Sequence, residues 1–148
     1  MSLEGLTVYV NQISLAGSIR RDEVERAVIA VTTAEGVENG EISITFLDPS
    51  AIAALNRAHL GRPLPTDVLA FNLAAPDTPL GDVYVCPDVA RDSATELGLP
   101  LREELLRLVI HGVLHVIGYD HPDGTDREDC EMFRRQEEIL ARLTETRL

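Results

Sequence analysis

The 148-residue sequence has no lysine. All 13 basic residues are arginines, set against 25 acidic residues, for a net charge of −12. Bulk affinity for nucleic acid comes from cations that neutralise phosphates. A chain this acidic is excluded from that mode, and any contact with RNA has to be local, through a bound ion and a few arginines. Cysteine is scarce. Cys86 and Cys130 are the only two, too few for a disulfide framework. No apolar run approaches the roughly 20 residues that span a bilayer. The N-terminus has no basic segment followed by an apolar one, so no secretory signal is expected. The expected location is cytoplasmic, with no membrane partner. Internal repeats, low-complexity tracts and linkers are also missing. Residues 1–148 therefore read as a single domain, of a size that buries about 70% of its unfolded surface.

What is present is a clear succession of periodic segments. Residues 6–10 alternate apolar and polar, with Val8 and Tyr9 favouring a strand. Residues 20–33 place Val24, Ala27, Val28 and Val31 on one helical face, and Gly36 and Asn39-Gly40 turn the chain. Residues 41–47 put Ile42, Ile44 and Phe46 on one face of a strand. Asp48 then caps a helix with Pro49 at its first position, running to about His59. Residues 61–66 form a proline-rich loop, 68–73 a buried strand, and 74–80 a loop with Pro76 and Pro79. Residues 82–86 form a strand with Val83 and Val85 opposite Tyr84. Pro87 starts a helix that ends near Gly98, and Pro100 precedes the next, which reaches Ile117. Thr125 and Glu128 form a capping box for a last helix to about Leu143, with Cys130, Phe133, Ile139 and Leu140 inward. The order predicts an α+β fold: a mixed sheet of about four strands packed with about five helices.

Three of the four histidines fall in 111–121, His-Gly-Val-Leu-His-Val-Ile-Gly-Tyr-Asp-His. Residues four apart on a helix share a face, so His111 and His115 can hold one ion. Gly118 lets the chain leave the helix, and a short turn can return His121 to the same ion. Three imidazoles with a fourth position for water is the form of a catalytic zinc site, so Zn(2+) is the expected cofactor. The spacing also matches the long zinc-protease signature. That signature needs a glutamate base after the first histidine, and here the position is Gly112. Peptide hydrolysis is thereby disfavoured, whereas a phosphodiester can still bind such an ion through its anionic oxygens. Asp120 is a candidate catalytic residue, as a partner orienting an imidazole or a proton carrier, against its reading as a turn residue. Arg62 is a candidate phosphate contact because guanidinium offers a bidentate fork. Tyr119 reads as packing, Met132 as core and His59 as structural or solvated.

The 111–121 segment resembles the signature of the YbeY endoribonuclease family. Three further segments agree in order. Pro65-Thr66-Asp67-Val68-Leu69-Ala70-Phe71 is similar to the family's Pro-Thr-Asp-Val-Leu-Ser-Phe. Residues 80–86 are similar to its Gly-Asp-Ile strand. Residues 132–140, with Gln136, Glu137 and Ile139, are similar to its last helix. The resemblance implies a single α+β domain with zinc held by His111, His115 and His121. It implies a metal-dependent endoribonuclease of single-stranded RNA that matures ribosomal RNA, notably the 3′ end of the small-subunit RNA, and serves ribosome quality control. Ribosomal RNA, ribosomal particles and ribosome-associated proteins are then the implied partners. Two features depart from the pattern. Many members carry a substrate-contacting arginine where this chain has Leu60, and Ala70 and Asn72 stand where serine and proline are usual. The rival readings are a ribosome-assembly factor with structural zinc and non-catalytic RNA contact, and a metalloprotease.

Overall fold

The computed structural model describes residues 2–3, 5–17, 19–73, 79–119 and 131–145. Its elements follow the order β1 (Ser2–Leu3), β2 (Leu6–Asn11), α1 (Arg21–Ala34), β3 (Gly40–Phe46), α2 (Pro49–Leu60), β4 (Val68–Asn72), β5 (Leu80–Val85), α3 (Pro87–Leu97), α4 (Leu101–Ile117) and α5 (Glu131–Glu145). A single 3-10 turn, Ile13–Ala16, lies between β2 and α1. The strands form one sheet in the order β1-β2-β3-β5-β4. The central three run parallel, and β1 and β4 are antiparallel to their neighbours. The expected α+β class and mixed sheet are present. Beyond the four expected strands there is a two-residue strand, β1, turned back onto β2.

Sequence periodicity sets which side of each element is covered. Val24, Ala27, Val28 and Val31 of α1 and Ile42, Ile44 and Phe46 of β3 are all fully buried. They meet Val83 and Val85 of β5 in the main core, to which α4 and α5 also contribute. On the other face of the sheet a smaller cluster joins Ile52 of α2, Leu69 of β4 and Cys86, with Phe71 and Tyr84 packed against it. The cap of α2 is as expected: the Asp48 carboxylate accepts from the Ala51 N–H at 2.8 Å, with Pro49 in the first turn.

Helix α4 is the centre of the arrangement. Leu105, Leu106, Val109, Ile110, Val113, Leu114 and Val116 are buried along one broad apolar face. Arg107, His111 and His115 form a half-buried stripe along the remaining side, and α4 packs against α1, α3, α5, β4 and β5. Its contact with β5 depends on two glycines. A Cβ at Gly112 would stand 2.4 Å from Val83 Cγ1, and one at Gly81 would stand 2.5 Å from Val116 Cγ1.

Two expectations need correction. Residues 68–73 read as a buried strand, yet β4 lies at the sheet edge and only Leu69 in it is buried. An apolar run suits either a central strand or an edge strand covered by helices, and the run itself does not distinguish them. On α5, Ile139 and Leu140 are buried as expected, but Phe133 is only half-buried, while Met132 and Gln136 take the inner positions. Cys130 and the capping box of Thr125 and Glu128 lie outside the described residues.

Candidate metal site and cleft

The i, i+4 spacing on α4 brings two histidines to one side of the helix. His111 and His115 are both half-buried and both line one cleft of about 300 Å³. The rest of its wall is Leu60, at the end of α2, and residues 68–71 of β4. The His59 ring meets Phe71 in a tilted contact, with centroids 4.8 Å apart and an interplanar angle of 48°, so the fourth histidine borders the cleft through an aromatic contact. Leu60, 54% exposed, puts an apolar side chain at the mouth.

The backbone of β4 adds to the cleft wall. Cys86 N–H donates to the Asp67 carbonyl at 2.9 Å, and Leu73 N–H donates to the Leu80 carbonyl at 2.7 Å. Antiparallel pairs alternate between bonded and non-bonded, so residues 67, 69, 71 and 73 point their backbone groups at β5. Val68 and Ala70, half a period out, turn their N–H and C=O groups to the side of β4 on which no strand pairs among the described residues.

The two histidines differ in their surroundings. His111 Nδ1 lies 2.8 Å from Gln136 Oε1. His115 Nδ1 is buried and has no hydrogen-bond partner among the described residues. A buried unpaired polar atom costs about 1–3 kcal/mol. An imidazole in that state, beside a second imidazole on the same cleft, fits a site meant to hold an ion, and neutral imidazole nitrogen suits zinc. Among the described residues no group of three potential ligands converges; the third predicted ligand, His121, lies outside them. Asp120 lies outside them too. Arg62 sits on the exposed loop after α2, where its backbone N–H donates to the Asn56 carbonyl at 3.4 Å.

Gly112 has a steric meaning that the sequence did not disclose. The position of the protease glutamate faces Val83, and even one added carbon would collide with it. Met132, 1% exposed, belongs to the core, as read. Tyr119 also packs against the core, and its hydroxyl donates to Glu35 at 2.6 Å. That hydrogen bond, and burial after it, holds the phenol above its ordinary pKa. Glu35 accepts from Arg135 Nε as well, at 2.8 Å, so it ties the end of α1 to α5. Neither Gln136 nor Glu35 was singled out as a partner from sequence. For Gln136 a signal existed: it is a polar residue on the inward stripe of α5, four positions from Met132.

The family model for Endoribonuclease YbeY matches residues 10–144. The chain belongs to the YbeY endoribonuclease family. An Endoribonuclease YbeY of Persephonella marina is 41% identical, over 83% of this chain and 83% of that protein. One of Geobacillus kaustophilus is 34% identical, over 96% of this chain and all of its own length, 100%. A Thermotoga maritima protein known from its solution structure superposes with a TM-score of 0.66 at 27% identity, covering 94% of this chain and 90% of that one. YbeY membership supports an endoribonuclease role, hence a hydrolase that acts on RNA. No helix among the described residues is long and apolar enough to cross a membrane.

Proposed function

We propose that the chain is a zinc-dependent endoribonuclease of single-stranded RNA. Its proposed role is in ribosomal RNA maturation, at the 3′ end of the small-subunit RNA, and in ribosome quality control, in the cytoplasm. Ribosomal particles and their associated proteins are the proposed partners. The observation that carries this reading is the pair His111 and His115, one helical turn apart on the same cleft. The sequence spacing adds His121 as third ligand. Zinc, when bound, would supply Lewis-acid polarisation of a phosphoryl oxygen and lower the pKa of water to about 7.

The chain's own residues do the rest. His111 and His115 are borne on the half-buried side of a helix whose apolar face is packed against the sheet and its neighbouring helices. Residues 68–71 and Leu60 form the rest of the cleft wall. Leu60 offers no charge to a phosphate, so Arg62 is proposed to meet it from the adjoining loop. Asp120 is proposed to orient an imidazole or carry a proton. Gly112, packed on Val83, leaves no place for a protease base.

The test is cleavage of a defined single-stranded RNA with and without chelator. His115→Ala serves as the contamination control. Metal-dependent cleavage that His115→Ala abolishes supports the reading, and unequal zinc contents of the two proteins support the ligand assignment. Cleavage that survives in His115→Ala overturns both. A cyclic phosphate on the product would exclude direct attack by water. A second reading, an assembly factor with structural zinc and non-catalytic RNA contact, is favoured by the apolar Leu60 at the cleft and the −12 charge. Binding to ribosomal particles without metal-dependent cleavage would establish it.

A further inference from the structure

A hydrogen-bonded chain runs from the buried interface of α4 and α5 to His111. Glu104 is 6% exposed, and its Oε1 accepts from Arg107 Nη1 at 2.8 Å. Arg107 then donates through Nε and Nη2 to the two carboxylate oxygens of Glu137, at 3.0 and 3.2 Å. Glu137 Oε2 also accepts from Gln136 Nε2 at 3.0 Å. Gln136, 5% exposed, turns its Oε1 to His111 Nδ1 at 2.8 Å. Burial opposes the charge on Arg107, but its hydrogen bonds to Glu137 and Glu104 outweigh that and hold its pKa above the ordinary value.

The direction of every bond in this chain is dictated. Arginine only donates, and it stays charged. Glu137, an ionised carboxylate, only accepts, so the Gln136 amide must present its nitrogen there. The Gln136 carbonyl is then the group left for His111, and a carbonyl only accepts. His111 Nδ1 must therefore carry the hydrogen. In a neutral imidazole the lone pair then resides on Nε2.

We propose that Gln136 is a positioning residue. Backed by Glu137 and Arg107, it fixes His111 as the Nδ1–H tautomer and so commits Nε2 as its metal-donating atom. This rests on the reading of His111 as a metal ligand. The benefit is selective. His115 has no such partner among the described residues, so the two ligands are not equivalent, and His111 is the one held in register before metal arrives. Partners of this kind are ordinarily worth about 10–100-fold in metal affinity.

The test uses the full chain and two readouts. One is the tautomer of His111 in metal-free protein, from long-range proton–nitrogen NMR at a pH where imidazole is neutral. The other is the zinc dissociation constant, by competition with a chromophoric chelator. Wild type is expected to show His111 as Nδ1–H. Gln136→Leu is expected to give mixed tautomers and zinc binding weaker by about 10–100-fold. Gln136→Glu combined with Glu137→Gln keeps an acceptor facing Nδ1 and an amide–carboxylate bond beside it, and is expected to keep the Nδ1–H tautomer and most of the affinity. His111 found as Nε2–H in wild type overturns the inference, even if Gln136→Leu fails to fold. So does Gln136→Leu with unchanged tautomer and affinity. A wild type that takes up no zinc overturns the metal reading instead, while the tautomer measurement still judges the hydrogen-bonded chain.

Discussion

Gly112→Ala distinguishes the packing described above from ordinary helix behaviour. In an open helix, replacing glycine with alanine gains about 1 kcal/mol. Here the added carbon would stand 2.4 Å from Val83 Cγ1 and 3.0 Å from Cγ2. Non-bonded carbons prefer about 3.5–4.0 Å, so roughly an ångström of room must be found. Val83 sits on β5, which is paired with β3 on one side and β4 on the other, so it has little freedom to retreat. Overpacking of this kind costs about 1–3 kcal/mol, and set against the propensity gain the net effect expected is a loss of about 0–2 kcal/mol. Urea unfolding at equal slope measures it. Val83→Ala removes the two methyl groups concerned and should cost about 1.5–3 kcal/mol alone. The double variant should be less damaged than the sum of the two, by about 1 kcal/mol or more. A Gly112→Ala variant more stable than wild type, or strict additivity in the double variant, would refute the packing account. By the same geometry Gly112→Glu should unfold the chain rather than confer peptide hydrolysis.

Asp48→Ala removes the cap on α2, whose bond to Ala51 N–H is 2.8 Å, and should lower the unfolding free energy by about 1 kcal/mol in urea. Glu35→Ala strips a shared acceptor from Tyr119 and Arg135. It should cost about 1–3 kcal/mol, and spectrophotometric titration should find Tyr119 ionising closer to its ordinary value. The buried Cys86 thiol is pushed up by burial. A raised folded-state pKa leaves this contribution intact below the ordinary thiol value, and it is lost as pH rises from that value through the raised folded-state one. Alkaline unfolding curves should show this slope in wild type and lose it in Cys86→Ala, and an unchanged slope would count against it.

Local signals were read well because they need only neighbours. The 3.6-residue period of Val24, Ala27, Val28 and Val31 and the alternation of Ile42, Ile44 and Phe46 specify a buried face wherever the elements end up. The same holds for Asp48 before Pro49. The i, i+4 placement of His111 and His115 on one cleft follows from helix geometry alone. Strand order is a different kind of fact. Residues 68–72 are apolar enough for a central position, and their place at the edge is decided by which partners β5 takes. The pairing of Glu35 with Arg135 joins residues 100 apart, and nothing local in a charged side chain names so distant a partner. Gly112 shows the same limit. In sequence it is a missing glutamate, and only Val83 opposite makes it a requirement.

The open edge of β4 gives the acidity of the chain a further consequence. Unpaired strand edges invite pairing with another molecule. Among the described residues no strand pairs beyond Val68 and Ala70, and a second copy zipped onto that edge would lie along the cleft wall shared with His111 and His115. Self-association would then be self-blocking. A net charge of −12 opposes it by mutual repulsion, a protection that fades as salt shortens the screening length below about 8 Å. Light scattering across a salt series would show whether solubility and an accessible cleft are maintained by the same charges.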